Sequence, residues 1–204
     1  MADIKGKEIT KKQKIWSAVG VVAAVLLLWV VVSYNSLVKS SESVQSRFGT
    51  VQTQYQRRAD LIPNLVSTVK GAADFEQSTL TAVVEARAKA TQITIDPSTA
   101  TPEQLQEYQN AQGELSQALG KLLAIAEAYP QLTATENFRD LQSQLEGTEN
   151  RIQTSRADYN AVLKTYNTKV RRFPTVVVAG AFGFDQKPYF EANAGAQNAP
   201  AVQF

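Results

Sequence analysis

No charge and no proline interrupts Ile15 to Val32, which reads IWSAVGVVAAVLLLWVVV. At about 1.5 Å per helical residue the run covers about 27 Å, enough for a thin hydrocarbon core, and Tyr34 extends it. Trp16 and Trp29 lie near its ends, where indoles favour the lipid–water interface. The pattern predicts a transmembrane helix over 15–33. A cleaved signal peptide is the competing reading, with Val31 and Ser33 as its cleavage pattern, but an h-region normally spans only about 7–15 residues.

Beyond the span the apolar positions become spaced. Leu37, Val44, Phe48, Val51 and Tyr55 follow steps of three and four, so the membrane helix is expected to continue as a stalk to about Arg58. Pro63 predicts a break, because the residue before a proline avoids the helical region, and Asp60 is placed to cap the next helix. This second helix, from Pro63 to Thr94, carries Ile62, Val66, Val69, Ala73, Leu80, Val83 and Ala90 on one stripe. Glu76 and Arg87 share that stripe, where each is expected to pair with an opposite charge on a neighbouring helix or to snorkel at the seam's edge. A ligand-binding role is the alternative.

Asp96 and Pro97 close this helix, and Thr101-Pro102-Glu103-Gln104 opens a third with a capping box and proline at its first position. Its seam is Leu105, Tyr108, Gln112, Leu115, Leu119, Leu122, Ala126 and Tyr129, with one polar interruption, and Pro130 ends it. Thr133 and Glu136 form another capping-box pattern ahead of a fourth helix reaching Arg172. Phe138, Leu141, Leu145, Thr148, Ile152, Ser155, Tyr159, Val162, Tyr166 and Phe173 give it the clearest heptad period in the chain. Tyr159-Asn160 and Tyr166-Asn167 repeat one heptad apart, either setting register at a helix interface or presenting a recognition edge. The fold class is therefore all-α: an N-terminal transmembrane helix continuing into a long antiparallel up-down four-helix bundle. The chain divides into a basic tail (1–14), the span (15–33), the bundle (34–174), an apolar membrane-proximal segment (175–190) and a polar tail (191–204).

Charge adds orientation. Lys5, Lys7, Lys11, Lys12 and Lys14 precede the span against Asp3 and Glu8, leaving 16 basic and 17 acidic residues in the remainder. The basic balance belongs to a short tail, so a nucleic-acid-binding domain is not expected. Only Lys39 and Arg47 follow the span closely, which by the positive-inside rule puts the N-terminus in the cytoplasm and the bundle in a periplasm. Cysteine and histidine are both absent, which excludes disulfides, thiolate or imidazole metal sites and histidine-dependent triads.

Taken in order, several segments are similar to the LemA family over Tyr34 to Phe190. The carriers are Tyr34-Asn35, then Gln56-Arg57-Arg58-Ala59-Asp60-Leu61-Ile62-Pro63-Asn64-Leu65-Val66 with Val69-Lys70-Gly71, and Glu76. Ala86-Arg87-Ala88, Tyr129-Pro130, Thr148-Glu149-Asn150, Arg156, both Tyr-Asn pairs, Phe173-Pro174, Gly183-Phe184 and Tyr189-Phe190 complete the set. The resemblance implies a membrane-anchored four-helix domain in a bacterium, with no established enzymatic activity. Some relatives are linked to organising internal membranes. It also implies a polar tail of variable length, which Glu191 to Phe204 matches; its composition predicts disorder.

Catalytic constellations are not evident. Asp60 with Arg57 and Arg58 is the densest charged cluster, but a capping carboxylate beside arginines stays ionised and shuttles protons poorly. Glu146 and Glu149 read as solvated helix surface, and Gly180-Ala181-Phe182-Gly183 is too short and apolar for a phosphate loop. No enzyme, cofactor or metal is expected. Thr175 to Phe184 is strongly apolar yet too short to span, and up-down topology returns it to the bilayer. Val176, Val177, Val178, Phe182, Phe184, Tyr189 and Phe190 are the candidate membrane or oligomer contacts, and a hydrophobic plug across the bundle's open end is the equal alternative. Asp60, Glu76, Arg87, Asn160 and Asn167 are candidate polar packing residues. The expected function is an inner-membrane scaffold that self-assembles or organises partners, with the bilayer and a second copy as partners. The alternative is an adaptor presenting the bundle to an envelope enzyme or transporter.

Overall fold

The computed structural model describes residues 11–71 and 76–191; most of the basic tail and of the polar C-terminal tail lie outside them. Six helices follow in order: α1 Lys11–Lys70, α2 Gln77–Gln92, α3 Pro102–Ala126, the single turn α4 Pro130–Thr133, α5 Glu136–Arg171 and α6 Thr175–Phe182. Among the described residues there is no strand. Helices α1, α2, α3 and α5 form the up-down bundle. Cross-links fix the antiparallel senses: Lys169 Nζ donates to Ser36 Oγ and Ser40 Oγ, Arg47 faces Asp158, and Arg58 meets Glu149, so α5 descends as α1 rises. Lys89 meets Glu114 across the α2–α3 hairpin, while Gln52 Nε2 reaches Ile95 O and Gln45 reaches Ser98 at its lower end.

Contrary to the sequence expectation, α1 does not break at Pro63 but runs unbroken through it to Lys70. A proline cannot donate to the carbonyl four residues earlier, here that of Ala59. That orphaned carbonyl instead accepts from Arg87 Nε at 2.8 Å. Ala59 is buried, so the substitute partner removes the penalty that would otherwise favour a break. Burial of Ile62, Leu65, Val66 and Val69 on the far side holds the last two turns in place. The expected second helix accordingly loses its first quarter, Pro63 to Lys70, to α1 and starts at Gln77.

Arg87 thus bonds a backbone oxygen, and the expected opposite-charge partner is not what holds it. Arg87→Met should destabilise the bundle by about 1–3 kcal/mol, the cost of an unsatisfied buried carbonyl. In a Pro63→Ala background, whose restored N–H recloses the α1 ladder, the same change should cost about 1 kcal/mol less. Denaturant unfolding of the four variants measures that coupling, and equal costs in both backgrounds would refute the carbonyl account.

Other ends follow local chemistry. Thr101 and Gln104 make the expected reciprocal capping box on α3. On α5 the cap is Thr135, which accepts from Phe138 N, and Thr133 instead bonds back to Tyr129 O and Pro130 O within α4. The α5 seam also shifts near its end: Leu163 and Val170 are buried, whereas Phe173 is 78% exposed.

The interior is divided along the bundle axis. A membrane-proximal cluster contains Leu37, Val44, Phe48, Tyr159, Tyr166 and Phe190, and a distal one contains Leu65, Leu80, Leu122, Phe138 and Leu145. Between them lies a polar layer.

Candidate functional site

Arg58 occupies that layer and is 1% exposed. Its Nη1 donates to Ser116 Oγ at 2.5 Å and Glu149 Oε2 at 2.9 Å, and its Nη2 to Gln112 Oε1 at 2.6 Å and Gln112 O at 3.1 Å. Gln112 completes its amide by donating to Ala90 O, and Ser116 Oγ also lies 3.0 Å from Glu149 Oε1. The guanidinium sits 5.3 Å from the centre of the Tyr55 ring. Arg58, Gln112, Ser116 and Glu149 therefore bind α1, α3 and α5 at one level. Glu149 is not free helix surface as its sequence pattern implied; Glu146 is, accepting from Gln142 one turn earlier. Asp60 lies inside α1 and accepts from Gln56 one turn earlier, so it caps nothing. Glu76 stands exposed ahead of α2 and accepts locally from Thr79 Oγ1.

A cavity of about 160 Å³ adjoins this layer, lined by Gln52, Tyr55, Gln56, Tyr108, Gln112 and neighbouring aliphatic and threonine side chains. Among the described residues, no carboxylate or amine lines it. Burial pushes the Tyr55 and Tyr108 phenols above the ordinary tyrosine range, so neither is a proton shuttle near neutrality. Among the described residues no cluster of three potential metal ligands occurs.

At the other end of the bundle the chain turns. It descends on α5, crosses Phe173-Pro174, passes through α6 and leaves it at Gly183, whose φ of 73° is the left-handed conformation glycine tolerates best. Residues 185–191 then climb back along α5 as an extended strap. Asn167 Nδ2 donates to Lys187 O and its Oδ1 accepts from Lys187 N, and Asn160 makes the same pair with Phe190. Tyr166 Oη donates to Asp185 O and Tyr159 Oη to Pro188 O.

The repeat has a geometric reason. Seven helical residues advance about 10.5 Å and three extended residues about 10 Å, so one heptad of α5 matches three residues of strap. The asparagines set no register between helices; they read the backbone of the returning chain. Gln109 Oε1 extends the ladder by accepting from Glu191 N, and Arg156 donates to Glu191 O while lying 5.1 Å from the Phe190 ring centre. Phe190 packs into the core beside Phe48 and Tyr159.

Tyr159 couples this strap to pH, since burial pushes its phenol from 10.0 up to about 12. A raised folded-state pKa gives stability that is complete below the unfolded value and fades as pH climbs through the folded one. Stability should fall between about pH 10 and pH 12, because only the protonated phenol donates to Pro188 O. Tyr159→Phe should make that limb of a stability–pH curve shallower, the remainder belonging to the buried Tyr55 and Tyr108 phenols; an unchanged limb would clear Tyr159 of it.

Of the segment 175–190, Val178, Ala179 and Phe190 are buried, so Val178 and Phe190 offer no outward contact. Phe184 is half-buried, and with Phe182 it packs edge-on against Tyr34 at 5.7 and 5.0 Å between ring centres. Val176, Val177, Phe182 and Tyr189 remain exposed, beside Phe173. Val178 and Ala179 join the membrane-proximal core cluster with Leu37 and Val170, and the strap then climbs α5.

The LemA family model matches residues 47–204, which take in the upper stalk, the rest of the bundle, α6 and the strap. The chain belongs to the LemA family. Two similar proteins from Paramagnetospirillum magneticum, named magnetosome proteins MamQ 1 and MamQ 2, are each 29% identical over 192 residues, covering 86% of this chain and 70% of their own length. A protein named LemA from Metamycoplasma hominis is 23% identical over 159 residues, covering 78% of this chain and 69% of its own. With one helix among the described residues long and apolar enough to cross a bilayer, this LemA family member is a membrane-associated helical protein.

Gln109 and Lys187 escaped the sequence reading, which placed Arg58 in a charged cluster with Asp60 but missed its burial. Arg58 stands three residues after Tyr55 and four before Ile62, so seam spacing alone could have flagged it. Gln112 was visible only as a polar interruption of the α3 seam. Nothing local marks Gln109, whose partner Glu191 lies 82 residues away, or Lys187, whose Nζ also donates to Pro97 O, 90 residues earlier.

Proposed function

We propose that the protein is a non-enzymatic scaffold of the bacterial inner membrane, anchored at two places: the span and the α6 turn. The length of bare helix supports this reading. Side chains of α1 are exposed all round up to Leu28, and one face becomes covered from Trp29 onward. Ile15 to Leu28 offers about 21 Å of bare apolar rod, while a hydrocarbon core needs about 30 Å, or about 20 residues, ending near Tyr34. Tyr34 is the residue on which Phe182 and Phe184 pack. The apolar α6, which has no charged residue, then sits at the depth of the outer acyl chains, with Val177 and Phe182 facing lipid or a second copy. The N-terminal lysines favour a cytoplasmic tail and a periplasmic bundle.

The lack of an acid–base pair around the interior cavity supports a structural role over a catalytic one. Similarity to chains named as magnetosome proteins supports it too. In mild detergent, the full chain should form large, regular particles that Val177→Glu with Phe182→Glu breaks down. Monomers that instead crosslink to one distinct envelope protein would support the adaptor reading, which the exposed groove along Val66, Leu80 and Val84 at the distal tip favours.

A further inference from the structure

Phosphate-level chemistry gathers where α5 ends. Arg171 and Arg172 line a cleft of about 360 Å³ with Asn167, Thr168, Gln186 and Tyr189. Both arginines are exposed, and neither forms an ion pair or side-chain hydrogen bond among the described residues. Among those residues no carboxylate lines the cleft; Asp185, next along the strap, lies outside its wall. The dipole at the end of α5 contributes only about half a negative charge against the two guanidiniums. Lys169 fixes their height: it bonds Ser36 and Ser40, so the next two or three residues of the descending α5 lie level with about Tyr34. Tyr34 marks the upper edge of the hydrocarbon core, where lipid phosphates begin.

We propose that this cleft binds the phosphate of an anionic phospholipid. Arg171 and Arg172 supply the charge, Gln186 supplies a polar contact, and Tyr189 flanks the headgroup while the acyl chains run down beside Val177 and Phe182. The inference rests on the α6 turn lying at the membrane, and it adds a lipid class to that reading. Its basis is three-dimensional: 137 positions separate Tyr34 from Arg171 in the chain, so the span's flanking charges read in sequence omit the pair.

The test places the full chain in nanodiscs of mixed phosphatidylcholine and phosphatidylglycerol and weighs the lipids that stay bound by native mass spectrometry. At about fivefold per arginine, phosphatidylglycerol should be enriched by an order of magnitude or more. Arg171→Gln with Arg172→Gln should abolish the enrichment, and Arg171→Lys with Arg172→Lys should keep most of it. Lys121→Gln with Arg139→Gln, an equal charge loss far from the membrane end, should leave it unchanged.

Because the chain has no cysteine, a nitroxide on Val177→Cys reports the depth of α6 separately. An immersed label without phosphatidylglycerol preference overturns the headgroup site and leaves the membrane turn standing; a label in water removes both. Displacement of the bound lipid by inorganic phosphate at millimolar concentration would reassign the cleft to a soluble anion and overturn the lipid assignment.

Discussion

Arg58→Ala is expected to cost the bundle about 3–5 kcal/mol, the range for removing one partner of a buried ion pair. The loss is large because the guanidinium is shared among acceptors on two helices. Its removal strands the Gln112 amide oxygen, deprives Glu149 of its ion pair, and opens a void between the two halves of the core. Glu149→Ala should cost less, about 1–3 kcal/mol, since the position it vacates is 36% exposed and admits water, and the guanidinium keeps Ser116 and Gln112 as acceptors. Urea unfolding followed by far-UV circular dichroism, at fixed detergent, gives both values and their coupling. A loss below about 1 kcal/mol for Arg58→Ala would mean that water reaches the layer and that the network carries little. The same geometry predicts that register suffers as well as stability. At this level α3 and α5 offer four acceptor positions to the fork, and a one-residue slip of α1 turns the charge away from them.

Asn160→Leu combined with Asn167→Leu is expected to free the strap while sparing the helices. Four hydrogen bonds to the backbone disappear, worth about 0.5–1.5 kcal/mol each, so the loss should total about 2–6 kcal/mol. Hydrogen exchange resolves this loss where global unfolding cannot. The amides of Lys187 and Phe190 should lose protection by orders of magnitude, and those of α1 and α3 should keep theirs. Uniform loss across all helices would show that the strap is part of one cooperative unit with the bundle. Each single variant should produce a partial effect localised to its own pair, Asn167 at Lys187 and Asn160 at Phe190. Freed of its strap, α6 would lose the upper of its two tethers, so the same variant should also raise the mobility of a label at Val177.

Legibility in the sequence followed the range of the interactions. The span was plain because a bilayer imposes one long, uncharged run, and α3 and most of α5 were plain because heptad spacing and a capping box act within a few residues. Pro63 was misread for the complementary reason. Its backbone preference is local and argues for a break, whereas the bond that rescues the helix comes from Arg87, 28 residues from the Ala59 carbonyl that it satisfies. Glu149 resembled surface because nothing near it in the chain announces Arg58, 91 residues earlier. The Tyr-Asn repeat was conspicuous, yet its purpose was hidden, since the groups that it binds are backbone amides and carbonyls with no sequence signature.

By itself, then, the sequence determined an apolar rod of membrane length, an all-helical continuation, the seams of α3 and α5 and the lack of thiol or imidazole chemistry. These depend on periodicity, composition and neighbours within a turn or two. Tertiary structure alone decided that α1 passes through Pro63, that Arg58 is the centre of a buried polar layer, and that two asparagines clasp the returning chain. It also decided that α6 lies beside Tyr34 with two arginines at its rim. Each of those outcomes turns on a polar group finding its partner across tens of residues, and only the folded path of the chain brings such partners within about 3 Å.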